Sequence, residues 1–109
     1  MTKSPIDNPI AQQHYVLVRP DGSEVAVTAK VGKPYLEEAT FWRCPAALDG
    51  IDGQYPDICG EGSMQPLGLA LRLIRTRLLA TIEDGSKLYY PEDRSMAVDA
   101  ETINVVFAG

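Results

Sequence analysis

The sequence contains few of the residues on which catalytic and metal sites depend. Its 109 residues include two cysteines, Cys44 and Cys59, and a single histidine, His14. Two cysteines are too few for a disulfide-rich secreted scaffold, and one histidine has neither the companion ligands of a zinc site nor the partners of a catalytic triad. We therefore expect no metal, no cofactor and no catalytic residues. Reduced thiols and a cytoplasmic location follow from the same scarcity.

Positive charge and long apolar runs are also scarce. The chain has 10 Lys and Arg against 15 Asp and Glu, a formal net charge of −5. Since a nucleic-acid backbone is bound by clustered cations, this balance predicts no nucleic-acid partner. No segment approaches the ~20 apolar residues of a membrane span, so no membrane partner is expected. The acidic residues after position 48 do not fit the spacing of a calcium loop and are expected to serve turns and solubility, namely Asp49, Asp52, Asp57 and Glu61.

The composition that is present is that of a single globular domain. Apolar residues make up 45% of the chain and charged residues 23%, which is enough for one core. Residues 1–13 are polar and contain Pro5 and Pro9, so they predict a flexible N-terminal tail. Residues 14–109 are expected to form one α+β domain.

Alternating apolar residues predict two hairpins. Residues 14–19 and 24–31 flank a Pro-Asp-Gly-Ser turn and form the first hairpin. Residues 40–48 and 54–59 flank a second glycine-rich turn and form the other. In the third strand, one face is predicted to carry Trp42, Cys44, Ala46 and Leu48.

The relation between the two cysteines depends on the turn of the second hairpin. If residues 50–53 form the loop, Cys44 lies opposite Cys59, whereas a two-residue turn at Asp52 and Gly53 places Cys44 opposite Glu61. Facing thiols would allow a redox-sensitive disulfide, and a position just before a helix would favour the Cys59 thiolate. The simpler interpretation is that both thiols are packed in the interior.

One long amphipathic helix follows, between Ser63 as N-cap and the helix stop at Asp84 and Gly85. Its core face is predicted to carry Leu67, Leu71, Ile74, Leu78 and Ile82. Residues 88–90 predict a short strand and residues 91–94 a surface loop. Residues 102–107 predict a final strand with one apolar face, formed by Ile103, Val105 and Phe107. The predicted fold class is α+β, with an antiparallel sheet of four to five strands packed against one long helix.

Three short motifs accompany this pattern. They are Gly32-Lys33-Pro34, Trp42-Arg43-Cys44-Pro45, and the helical Leu69-Ala70-Leu71 followed by Ile74. Together they resemble a family of small uncharacterised bacterial proteins that is known only as a domain of unknown function. The resemblance implies a bacterial source and a compact α+β domain, and it brings no catalytic residues with it.

The helix also carries a second apolar stripe, which recurs at i, i+4, i+7 and i+11 and consists of Leu69, Leu73, Thr76 and Ala80. A helix that lies on a sheet needs only one such stripe. Either residues 88–107 fold back over the second one, or another molecule covers it. From this stripe we predict a noncatalytic protein-interaction module, whose partner is a second copy in a homodimer or another protein.

The alternative is a small-molecule binding protein or an enzyme with a pocket between sheet and helix. Its lining would come from four aromatic residues, with Arg43 orienting an anionic ligand; the four are Trp42, Tyr15, Tyr35 and Tyr55. Packing in the core is the competing role for Trp42, because an indole ring buries a large area. An immunity-like or antitoxin-like protein is a third alternative, suggested by small size and acidity.

Overall fold

The computed structural model describes residues 2–39 and 41–108, which form nine strands and two helices. Positions 1, 40 and 109 end or begin segments predicted above, and they lie outside the described residues. In chain order the elements are β1 (Ala11–Val18), β2 (Glu24–Val31), β3 (Tyr35–Glu37), β4 (Phe41–Cys44), β5 (Ala46–Asp49), β6 (Gly53–Gln54), β7 (Ile58–Gly60), α1 (Met64–Glu83), β8 (Lys87–Tyr90), β9 (Asp93–Val98) and α2 (Ala100–Val106).

The strands form two antiparallel sheets, so the fold is α+β with more strands than predicted. The larger sheet has six strands in the order β6-β5-β2-β1-β8-β9, and the smaller has three in the order β3-β4-β7. Helix α1 contacts β2, β5 and β8 of the larger sheet as well as β4 and β7 of the smaller one. The long helix therefore joins the two sheets into one core.

The first hairpin is confirmed. Strands β1 and β2 pair with Tyr15 opposite Val27, and the Arg19 N–H donates to the Ser23 carbonyl across the turn at 2.9 Å. The predicted alternation places Leu17, Ala29 and Val31 in the interior with this pair. Strand β1 begins at Ala11, within the segment predicted as a tail. The flexibility of residues 1–13 stays a prediction.

The prediction of one continuous third strand is wrong, because the chain passes from the smaller sheet to the larger one at Pro45. Strand β4 precedes this proline and β5 follows it, and residues 44–48 are all buried. Proline has no N–H to donate to a sheet, so a strand end is the position that suits it. The Gly32 N–H donates to the Pro45 carbonyl at 2.9 Å and fixes this crossing. The predicted return strand is divided in the same way into β6 and β7.

The long helix is confirmed, and its end has the hydrogen bonds of a Schellman motif. Gly85 has a φ of +97°, its N–H donates to the Ile82 carbonyl at 3.0 Å, and the Ser86 N–H donates to the Thr81 carbonyl at 3.1 Å. Ser63 occupies the N-cap position without a side-chain capping hydrogen bond. The fully buried helix residues are Pro66, Ala70, Ile74 and Leu78, with Leu67, Leu71 and Ile82 partly buried beside them.

The predicted final strand over residues 102–107 is wrong, because this segment forms α2. Asp99 caps it by accepting a hydrogen bond from the Thr102 N–H at 2.8 Å. Ile103 and Phe107, four residues apart, face the core, whereas Val105 is 72% exposed. Residues 93 and 94, predicted as loop, belong to β9. Across residues 2–39 and 41–108, neither helix combines the length and apolar character that a bilayer crossing requires.

Candidate functional site

Helix α1 has one flank covered by the C-terminal helix. A cavity of about 110 Å³ between these helices and the larger sheet is lined by Leu71, Ile74, Val106 and Phe107 among others. Arg75 Nη1 also donates to the Phe107 carbonyl at 3.4 Å. The C-terminal segment thus folds over α1, but it contacts the flank of Leu71 and Arg75 and not the second stripe that it was expected to cover.

The other flank carries the predicted second stripe, called here the 69–80 stripe (Leu69, Leu73, Thr76 and Ala80). Residues two apart on a helix point about 200° apart, so Leu69 and Leu73 face away from the flank of Leu71 and Arg75. Leu69 is 37% exposed and Thr76 is also exposed, while Leu73 and Ala80 are half-buried. The stripe therefore remains partly accessible on the folded chain.

The 69–80 stripe has the chemistry of a packing surface. The Thr76 hydroxyl donates to the Arg72 carbonyl at 2.9 Å within the helix, so its polar atom is already hydrogen-bonded. Thr76 and Ala80 are also much smaller than the two leucines of the stripe. Ridges of large side chains beside grooves of small ones are what two packed helices require.

Arg77, the residue after Thr76 of the stripe, forms an ion pair with Asp52. Arg77 Nε lies 2.9 Å from Asp52 Oδ2, and the Tyr55 hydroxyl donates to the same carboxylate. The hydrogen bond from Arg77, with that from Tyr55 beside it, holds the pKa of the Asp52 carboxyl below its usual range. The turn between β5 and β6 is thereby tied to the middle of α1.

The two cysteines lie on the neighbouring strands β4 and β7, but they are not directly opposite each other. Cys44 lies opposite Ile58, and Cys59 lies opposite Arg43, so both predicted registers are wrong by at least one residue. An offset of one residue places the thiols on opposite faces of the smaller sheet. Cys44 is fully buried, and burial together with the negative charge of Asp57 raises the pKa of its thiol to about 11. Cys59 is exposed, so interior packing is wrong for this residue.

Arg43 and Trp42 occupy opposite faces of the smaller sheet as well. Arg43 is paired with Glu37 through its Nε, and its Nη1 lies 3.0 Å from the Cys59 Sγ. Trp42 is half-buried, with the exposed Leu36 opposite it on the edge strand β3. Arg43 is thus already neutralised, and Trp42 is neither a fully buried core residue nor grouped with Arg43.

The predicted pocket between sheet and helix does not have the predicted lining. Tyr15 is buried in the core, Tyr35 donates to Asp57, and Tyr55 donates to Asp52, so these aromatics lie in three separate places. Besides the cavity of about 110 Å³, one of about 240 Å³ lies near Arg19 and Asp84. Pockets for small-molecule ligands typically measure about 300–1,000 Å³. Both volumes are smaller than a typical metabolite site.

Asp57 is the residue whose environment the sequence did not indicate. It was expected on a polar surface turn, yet it is only 6% exposed and accepts hydrogen bonds from Ser4 and Tyr35. No periodicity or motif links Ser4 to a position 53 residues later. Within residues 2–39 and 41–108, no three His, Cys, Asp or Glu side chains are grouped so that they could hold a metal ion.

Comparison with known proteins gives a family for this chain. Residues 13–99 match a family described as a domain of unknown function (DUF6968). The matched segment begins within β1 and ends at Asp99, the cap of α2, so it includes both sheets and the whole of α1. Searches of curated proteins and of solved structures gave no match.

Proposed function

The chain belongs to the DUF6968 family, a domain of unknown function, and we propose from its surface that it is a noncatalytic protein-interaction module that forms a homodimer. The 69–80 stripe is the proposed contact. The observation that carries the proposal is that α2 covers the opposite flank of α1 and leaves Leu69 37% exposed. An apolar helix flank that stays partly exposed in the folded chain favours contact with another chain.

The order of residues in the stripe is the argument for a second copy as the partner. Leu69 lies as far before the midpoint of the stripe as Ala80 lies after it, and the same holds for Leu73 and Thr76. In a two-fold antiparallel arrangement, each leucine of one chain therefore meets a small residue of the other. The stripe contains no charged side chain, so self-pairing brings no like charges into contact within it. Its surface is complementary to itself.

The remaining parts of the proposal have separate support. A net charge of −5 argues against a nucleic-acid partner, and the free thiols of Cys44 and Cys59 agree with a cytoplasmic location. The resemblance described above is the support for a bacterial source. Cavities below the usual size of ligand sites favour interaction over small-molecule binding.

The variant Leu73→Asp is expected to convert the dimer into a monomer with an unchanged fold. An aspartate against Thr76 of the second copy would have to be buried without a partner, which we expect to weaken the dimer about 100-fold. Sedimentation equilibrium measures the mass, and circular dichroism reports the fold.

Val105→Asp is the matched control, since it introduces the same charge at an apolar residue that is 72% exposed on α2. It should remain a dimer. A folded Leu73→Asp protein with the mass of the wild type would contradict the proposal. If Leu73→Asp does not fold, Leu69→Asp at the more exposed position provides the same comparison.

A further inference from the structure

The cavity of about 240 Å³ lies at one end of the larger sheet, where four segments of the chain meet. These segments are the turn after β1, the turn after β5, the end of α1 and the link from α1 into β8. Val18 lies opposite Lys87 in the sheet, and a Cβ added to Gly85 would lie 3.6 Å from Pro20 Cγ. The end of the long helix is therefore close to the first hairpin turn, with the cavity beside them.

Arg19 gives this cavity a positive charge. Leu17 is buried against the core, and since residues two apart on a strand point to the same face, Arg19 continues that face toward the end of α1. Arg19 is exposed and forms no ion pair within the part of the chain that the structure describes. Asp21 interacts with it electrostatically, but the Asp21 carboxylate accepts its hydrogen bonds from Ser23. The guanidinium is thus available to a carboxylate, which it can bind through two parallel hydrogen bonds.

Asp84 and the end of α1 give the same cavity a negative charge. Asp84 is the C-cap of this 20-residue helix and is exposed. The C-terminal end of a helix carries a partial negative charge, which adds to that of the carboxylate and favours a cation. Arg77 is affected by the charge of Asp84, but its ion pair is with Asp52. One lining residue is therefore suited to an anionic group and another to a cationic group.

The rest of the lining and the volume restrict the ligand further. Leu17, Pro20 and Ile51 contribute apolar surface, and Ser86 contributes a hydroxyl. At about 30 Å³ for each water-sized group, 240 Å³ accommodates about eight such groups. That is less than most metabolite sites offer, so the ligand has to be small. An α-amino acid with an aliphatic side chain combines a carboxylate, an ammonium group and an apolar part in a molecule of this size.

We propose that this cavity binds a free aliphatic α-amino acid. Arg19 binds its carboxylate, Asp84 with the end of α1 binds its ammonium group, and Leu17 and Ile51 contact its side chain. The expected Kd is about 1 mM, because both charged side chains are exposed to solvent and contribute less than buried ones. This binding activity goes beyond the proposed dimer and does not depend on the 69–80 stripe.

Titration of the ¹⁵N-labelled full chain with L-leucine tests the proposal. Up to about 20 mM leucine, the amide signals of Arg19, Ile51 and Ser86 are expected to shift and saturate, while that of Glu101 on α2 stays in place. Two compounds each lack one charged group of leucine, namely 4-methylpentanoate and 3-methylbutylamine. Both should bind at least about tenfold more weakly. Absence of a saturable shift at the three residues would overturn the proposal, and so would equal affinity for leucine and either compound.

Arg19→Gln and Lys33→Gln form a matched pair of variants for the same titration. Each removes one positive charge from an exposed side chain, but Lys33 follows β2 at the opposite end of that strand. Arg19→Gln should weaken leucine binding about tenfold, whereas Lys33→Gln should leave it unchanged. Equal Kd values for the two variants would contradict the role of Arg19. If Arg19→Gln does not fold, the comparison of the three compounds on the wild-type chain decides.

Discussion

Replacing Leu78 by alanine is expected to lower the free energy of unfolding by about 2–5 kcal/mol. Leu78 is fully buried where α1 lies on the larger sheet, together with Ile74, Leu48 and Leu88. Removing its Cγ and both Cδ carbons loses the transfer free energy of these buried groups and leaves a cavity that rigid strands on one side cannot fill. Urea unfolding followed by circular dichroism measures the difference.

Met64→Ala is the control for this prediction. Met64 begins the same helix but is 85% exposed, so its truncation should change the free energy of unfolding by no more than about 0.5 kcal/mol. Equal effects of the two substitutions would show that the buried face of α1 is not the one described. A large effect of Leu78→Ala together with a small effect of Met64→Ala would confirm which face of α1 is buried.

Gly50→Ala is the second substitution expected to have a large effect, about 2–4 kcal/mol of lost stability. Gly50 has a φ of +92°, and an added Cβ would lie 2.3 Å from the carbonyl oxygen of Ala26. The neighbour is backbone in β2, so the turn between β5 and β6 or the sheet itself would have to shift. Asp52, which holds Arg77 beside the 69–80 stripe, is in the same turn.

Gly22→Ala separates the cost of the positive φ from the cost of the close contact with β2. Gly22 has a similar φ of +88° but no atom within 4 Å of an added Cβ, so only the conformational cost of about 1–2 kcal/mol applies. Thermal or urea unfolding of both variants gives the comparison. If Gly50→Ala costs no more than Gly22→Ala, the close approach of Gly50 to β2 is absent in solution.

Local signals in the sequence were sufficient for the first hairpin and for α1. The turn at Pro20 and Gly22 and the alternation of Val25, Val27 and Ala29 both indicate a hairpin, and a hairpin with Tyr15 opposite Val27 is observed. In α1, the period of the apolar residues and the stop at Gly85 agree in the same way. Where several independent local signals predict the same structure, tertiary packing agrees with them and does not change it.

The segment around Pro45 shows what the sequence could not provide. Residues 44–48 are buried on both faces, so alternation cannot indicate that the chain changes sheets there. Because proline has no N–H for a sheet hydrogen bond, Pro45 indicates an interruption of the strand, but it does not indicate a crossing between two sheets. The same crossing changed the register of the second hairpin and separated Cys44 from Cys59.

The C-terminal helix was missed because two periods fit the same residues. Ile103 and Phe107 are four apart, which suits one face of a strand as well as one face of a helix. Val105 fits the strand alone, and it is 72% exposed. The signal that favours a helix is Asp99 as an N-cap, whose carboxylate accepts a hydrogen bond from the Thr102 N–H.

The candidate site shows the same difference between local sequence patterns and long-range contacts. The 69–80 stripe is a helical pattern and was visible in the sequence, whereas its exposure depends on which flank α2 covers. On the covered flank, Arg75 contacts the end of α2, 32 residues away in the chain. The site around Asp57 depends on a contact across 53 residues and has no sequence signature.

Sedimentation equilibrium of the unmodified chain tests most directly whether the 69–80 stripe joins two copies. The monomer has a mass of 11.9 kDa. At about 10–100 μM we predict twice that mass. A mass of 11.9 kDa across this whole range would contradict the proposed dimer.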